Sequence, residues 1–79
     1  MPQAASVEQQ AVAHDRATHL RAAIEALPEK LRIVIVLAAI EEHDIREVAR
    51  LLGVPEGTVK SRLFLARKAL AEKLRCLNI

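Results

Sequence analysis

Apolar positions recur at three- and four-residue intervals through Ala13, Ala17, Leu20, Ile24 and Leu27. This spacing predicts an amphipathic helix whose apolar stripe develops toward its C-terminal part. Ser6-Val7-Glu8-Gln9 has capping-box spacing, with a hydroxyl placed to accept from the Gln9 N–H and a Gln side chain able to reach back. A helix is expected to start there. The stretch before the stripe stays mostly polar, so residues 1–12 read as linker or a frayed helix start, and 13–79 as the folded unit. Pro28 disfavours helical geometry at Leu27 and suits the first turn of a new helix, where Glu29 complements the dipole.

The next pattern, Leu31 to Ile40, contains Ile33-Val34-Ile35-Val36-Leu37. Its β-branched residues would also suit a buried strand, and periodicity alone does not separate the two. Length and flanks favour helix: the run continues through Ala38-Ala39 into Glu41-Glu42 without a glycine, and no second strand is available to pair with it. A helix apolar on nearly all sides is central to the core or offers one face to a partner, and some of both is expected here.

Asp44 opens a further helix, with Glu47 three residues on and Ile45, Val48, Ala49 and Leu52 as one apolar stripe. Gly53 ends it, Val54-Pro55 links, and Pro55 suits the start of a last helix running to roughly Leu77. The core stripe of that helix is Val59, Leu63, Ala66, Leu70, Leu74 and Leu77.

Composition narrows the fold class. The 79 residues are 52% hydrophobic and 28% charged, with two glycines and one aromatic ring, which describes an Ala/Leu-rich helical protein. The fold expected is all-α, a four-helix module ending in a helix-turn-helix. A chain this short holds one small fold at the edge of what a hydrophobic core alone stabilises, so the core is efficient or a partner completes it.

Charge is uneven along the chain. Met1 to Asp44 carries four Lys/Arg against seven Asp/Glu, and Ile45 to Ile79 carries eight against three. A basic half on a helical module points to a polyanion, most plausibly nucleic acid, or else to a solvated basic face. The lone Cys76 fits a reducing compartment, and the longest apolar run, Ile33 to Ile40, is too short to span a bilayer. A soluble, cytoplasmic protein is expected, with no membrane partner.

Two helices joined by a short glycine-containing turn, Gly53-Val54-Pro55, form the helix-turn-helix pattern. Ala49 is small where the helices would cross, and Gly53 takes a left-handed turn at no steric cost. On a wheel of 100° per residue, with Val59, Leu63, Ala66 and Leu70 facing inward, Gly57, Ser61, Phe64, Leu65 and Lys68 lie opposite. Lys60, Arg62 and Arg67 flank that face. Basic edges can hold phosphates while Ser61 and Phe64 point where base edges would lie. Phe64 beside Leu65 suits thymine methyls or a protein partner, unless the helix is rotated so that both are buried.

Chemistry of an enzyme has little support. His14 and His19 are five apart, off the same-face spacing of a helical metal pair, and His43 stands alone in a turn between Glu42 and Asp44. Glu41 and Glu42 are adjacent and do not face each other on a helix. Cys76 lies near a helix C-terminus, where the dipole disfavours a thiolate. No catalytic residue, metal, cofactor or small-molecule substrate is expected.

Ala26-Leu27-Pro28-Glu29-Lys30-Leu31-Arg32, Glu47-Val48-Ala49-Arg50-Leu51-Leu52-Gly53-Val54-Pro55, and Gly57-Thr58-Val59-Lys60-Ser61-Arg62-Leu63 followed by Ala66-Arg67 together resemble region 4 of bacterial sigma factors. The likeness is to the extracytoplasmic-function group of the sigma-70 family, and it covers about Leu20 to Leu77. It implies a four-helix module that recognises the −35 element of double-stranded promoter DNA while docked on the β flap of RNA polymerase. The DNA-contacting positions it implies are Lys60, Ser61, Phe64 and Arg67, with Thr58 and Arg62 near the backbone; Lys68 joins them from the outward face. Ile33, Val36, Leu37, Ile40 and Leu65 are candidates for docking the flap, and in many relatives an anti-sigma factor covers the same surfaces.

Two departures from the family pattern bear on this reading. Leu65 stands where relatives commonly carry a basic residue, and with ~3 to 5 phosphate contacts a single module is expected to bind free DNA feebly, with a shallow salt slope. The family's region 2, which opens the −10 element, has no counterpart in these residues, so the chain is expected to be a fragment of a sigma factor or a standalone docking and reading module. A protein-docking module with little DNA binding of its own is the alternative. A response-regulator helix-turn-helix resembles the turn but fits Leu27-Pro28-Glu29 less well.

Overall fold

The computed structural model describes the backbone of residues 7–77 and the side chains of residues 15–75. Its elements in chain order are α1 (Val7–Glu25), α2 (Glu29–Ile35), a π-helical turn (Val36–Ile40), α3 (Ile45–Leu52) and α4 (Glu56–Leu77). Among the described residues every regular element is helical, as the Ala/Leu-rich composition requires. The capping Ser6 expected for the first helix lies outside the described residues.

Pro28 separates α1 from α2. Its φ of −55° and ψ of 147° are extended, and its carbonyl accepts from the Leu31 and Arg32 N–H groups at 3.0 and 2.9 Å, which starts α2. Arg32 reaches back, its Nη1 donating to the Glu25 carbonyl at 3.2 Å. That carbonyl belongs to the last turn of α1, where helical acceptors lack an intrahelical donor.

The apolar run that reads as one α-helix from Leu31 to Ile40 departs from that expectation. Regular α geometry stops at Ile35, and the Glu41 N–H bonds five residues back to the Val36 carbonyl at 2.9 Å. With no glycine available, the reversal falls on Glu42, at φ 60°, and the His43 N–H then closes on the Leu37 carbonyl at 3.0 Å. The wide turn thus satisfies two carbonyls that a helix end would otherwise leave to solvent. The strand alternative for this segment is excluded.

The core draws on every helix: Ala23 and Leu27 around the end of α1, Val34 and Ile35 on α2, Val48 and Ala49 on α3, and Val59, Leu63 and Ala66 on α4 are buried. Helix α4 packs against all three others and forms the axis of the core. No polar or charged side chain is buried among the described residues. The stripe expected on α1 is only partly used. Ala17 and Leu20 face solvent and Ile24 is half-buried, while Ala23 and Leu27 are buried, so the described burial of this segment lies around the end of α1. The side chain of Ala13 lies outside the described set, as does that of Leu77; Leu70 and Leu74 are half-buried.

Candidate nucleic-acid interface

The geometry of the turn between α3 and α4 follows from residues at each end of α3. Asp44, extended at φ −77° and ψ 168°, accepts the Glu47 N–H on its side chain and so caps the first turn. The reciprocal half of a capping box is absent, since Glu47 Oε2 lies 3.4 Å from His43 Nδ1 instead. At the other end Gly53 adopts φ 68° and ψ 35°. The Gly53 N–H donates to the Arg50 carbonyl at 3.3 Å and the Val54 N–H to the Ala49 carbonyl at 3.1 Å, the two bonds of a Schellman motif. Pro55 then starts α4 as an acceptor, taking the Thr58 and Val59 N–H groups at 3.0 and 3.3 Å.

This turn fixes the rotation of α4. Val59 is fully buried one turn past Pro55, and Leu63 and Ala66 continue inward at helical spacing. The opposite face is therefore open. Lys60, Ser61, Phe64, Leu65, Arg67 and Lys68 are exposed there, while Thr58 and Arg62 are half-buried at its margins. Phe64 is 66% and Leu65 50% exposed, which excludes the rotated helix that would hide them.

Two shallow depressions mark this face. One, of about 420 Å³, is lined by Ile45, Lys60, Leu63, Phe64, Arg67 and Lys68. The second, of about 450 Å³, is lined by Lys60, Ser61, Phe64 and Leu65. Neither lining includes a carboxylate. Among the described residues no ion pair engages the lysines and arginines of α4; the only carboxylate contacts of this kind are those of the His43 ring. The face is a set of uncompensated cations around an apolar centre, a distribution that suits a polyanion with apolar groups between its charges.

The residues proposed for docking are not gathered in one exposed patch. Ile40 is 60% exposed at the end of the π-helical turn, whereas Ile33, Val36 and Leu37 are half-buried, and Val36 and Leu37 pack against the core. Leu65 lines the depression with Lys60, Ser61 and Phe64 and so sits on the α4 face. Leu51, 58% exposed on α3, escaped the sequence reading because attention to the inward stripe leaves its outward neighbours unexamined.

His43 is not isolated as the sequence suggested. Its ring lies between two carboxylates, with Nε2 3.4 Å from Glu41 Oε1 and Nδ1 3.4 Å from Glu47 Oε2. The two ring nitrogens face different carboxylates, so the three groups do not converge on one point. The described residues hold no grouping of three or more metal-ligating side chains, and no helix among them is long and apolar enough to cross a membrane.

Comparison with known proteins agrees with this architecture. The chain is 47% identical over 49 residues to the ECF RNA polymerase sigma factor SigW of Bacillus subtilis, covering 62% of the chain and 26% of that protein. It is 43% identical over 52 residues to the ECF RNA polymerase sigma-E factor of Escherichia coli K12, covering 66% of the chain and 27% of the relative, and the sigma-E factor of Salmonella typhimurium matches equally. The chain thus spans about a quarter of the length of the curated relatives it matches. Residues 18–70 match the family described as Sigma-70, region 4, which takes in α2, α3, the turn and most of α4. By that match, the chain belongs to the sigma-70 region 4 family.

Proposed function

We propose that the chain is a promoter-reading module that recognises the −35 element through α4 and docks on RNA polymerase during transcription initiation in the bacterial cytoplasm. Residues 13–79 form the reading unit. The observation that carries the proposal is the exposed face of α4, where Lys60, Arg67 and Lys68 surround Ser61 and Phe64 with no carboxylate in either depression. Phosphates would engage the basic edges, with Arg62 and Thr58 at the margins, while Ser61 and Phe64 face the base edges. Membership of the family supports the same reading, because its ECF relatives are named as RNA polymerase sigma factors. The role is one of binding and positioning, with no reaction of its own.

Docking on the β flap would use the π-helical turn, where Ile40 is exposed and Val36 and Leu37 are half-buried. An anti-sigma factor covering this surface or α4 is the second reading, favoured by the exposure of Ile40 and Leu51, neither of which lines the two depressions of the basic face. The test is promoter binding by Lys60→Glu and Arg67→Glu variants, followed by band shift in the presence of polymerase core. Loss of binding with unchanged helicity is expected. Unchanged binding by both variants overturns the reading.

A further inference from the structure

Sequence reading in a major groove requires groups that distinguish one base edge from another, and on α4 few exposed side chains qualify. Lys60 and Arg67 are long cations at the edges of the face and Lys68 lies on its outward line; such groups hold phosphates or donate to a guanine edge, and none of them selects a thymine. Ser61 can donate or accept and fits several base edges. What remains is apolar: Phe64 and Leu65, adjacent in the chain and both at least half exposed.

Leu65 is the more informative of the two. It lies one turn beyond Ser61 on the outward line of α4, and with Lys60, Ser61 and Phe64 it encloses the depression of about 450 Å³. An apolar side chain left in water at that position gains nothing from the fold, because the core is complete on the opposite face. The depression's one charged lining residue is Lys60 and it holds no carboxylate, and the adjoining depression adds Arg67 and Lys68, so the charge of the face matches a phosphate-lined groove. Inside such a groove the apolar group displayed by a base pair is the thymine methyl.

We propose that Leu65, backed by the ring of Phe64, is a specificity-determining residue that selects a thymine through its 5-methyl group. The inference rests on the reading of α4 as a DNA-recognition helix. A helix rises about 1.5 Å per residue, so Leu65 stands roughly 6 Å along the axis from Ser61, close to two base-pair steps of about 3.4 Å. The selected thymine therefore lies about two steps from the pair that Ser61 faces.

The experiment has two stages on the full chain. Random duplex DNA is first selected at low salt, and each thymine of the selected site is then replaced singly by uracil, which removes only the methyl group. Affinities are measured for the wild type and for Leu65→Ala; the side chain is exposed, so this variant retains its core. One uracil replacement, about two steps from the pair whose preference changes in Ser61→Ala, is expected to weaken wild-type binding about fourfold, and to have no effect on Leu65→Ala. A flat uracil scan in the wild type overturns the inference while leaving sequence-specific binding intact. An effect of equal size in Leu65→Ala overturns it as well. If Leu65→Ala instead loses capture by polymerase core with its uracil scan unaltered, Leu65 belongs to a protein-docking face. Failure of the selection to enrich any sequence overturns the reading of DNA by α4 itself.

Discussion

Asp44 Oδ1 lies 2.8 Å from the Glu47 backbone nitrogen and accepts its hydrogen, so the helix that supports the recognition turn begins on a side-chain cap. Removing the acceptor leaves a first-turn N–H to water. Asp44→Ala is expected to destabilise the fold by about 1 kcal/mol, and Asp44→Ser by much less. Urea denaturation followed by helical circular dichroism checks both, and equal stability of all three proteins would contradict the assigned cap.

Gly53 bears the left-handed residue of the Schellman motif, with φ 68° and nothing within 4 Å of where a Cβ would sit. The cost of Gly53→Ala is therefore backbone strain alone, about 1–2 kcal/mol. Gly53→Asn should cost less, since Asn tolerates this region. Thermal unfolding of the three proteins should rank them Gly, Asn, Ala.

Glu42 presents the opposite case, a non-glycine residue held at φ 60° after the π-helical turn. Glu42→Gly relieves that strain and gives part of the gain back as chain entropy in the unfolded state. A net stabilisation of about 0.5–1 kcal/mol is expected. A raised urea midpoint with an unchanged slope is the signature.

Lys68 sits on the outward face of α4 and lines the depression beside Phe64. As a phosphate contact it would contribute to affinity without discriminating between sequences. Lys68→Gln is expected to weaken binding to selected and random duplexes alike, and to lower the slope of log affinity against log salt by about one. A loss confined to one sequence would move Lys68 from the phosphates to a base edge.

The sequence made the second half of the fold more legible than the first. Asp44, Gly53 and Pro55 are local devices whose geometry depends on a few bonds, and each acts where its residue type demands. The rotation of α4 was legible because Val59, Leu63 and Ala66 recur at helical spacing in a helix long enough to fix its own phase. The π-helical turn left no such trace: Val36 to Ile40 is equally apolar in either geometry, and the reversal at Glu42 falls on a residue with no preference for it. The partial use of the α1 stripe was also hidden, because exposure of Ala17 and Leu20 depends on tertiary packing, to which helical periodicity is blind. The contacts of His43 required the chain reversal that brings Glu41 and Glu47 to either side of its ring.

Helix α4 is both the axis of the core and the bearer of the basic face, and most of its residues serve only one of the two. Val59, Leu63 and Ala66 hold the fold, and Ser61, Phe64, Leu65 and Lys68 are free of it. If α4 reads DNA as proposed, substitutions along the outward line can change the sequence that is read at little cost in stability, whereas those along the inward line disturb the core whatever the target. On that reading, a module divided in this way would acquire a new promoter preference one residue at a time, remaining folded at every intermediate.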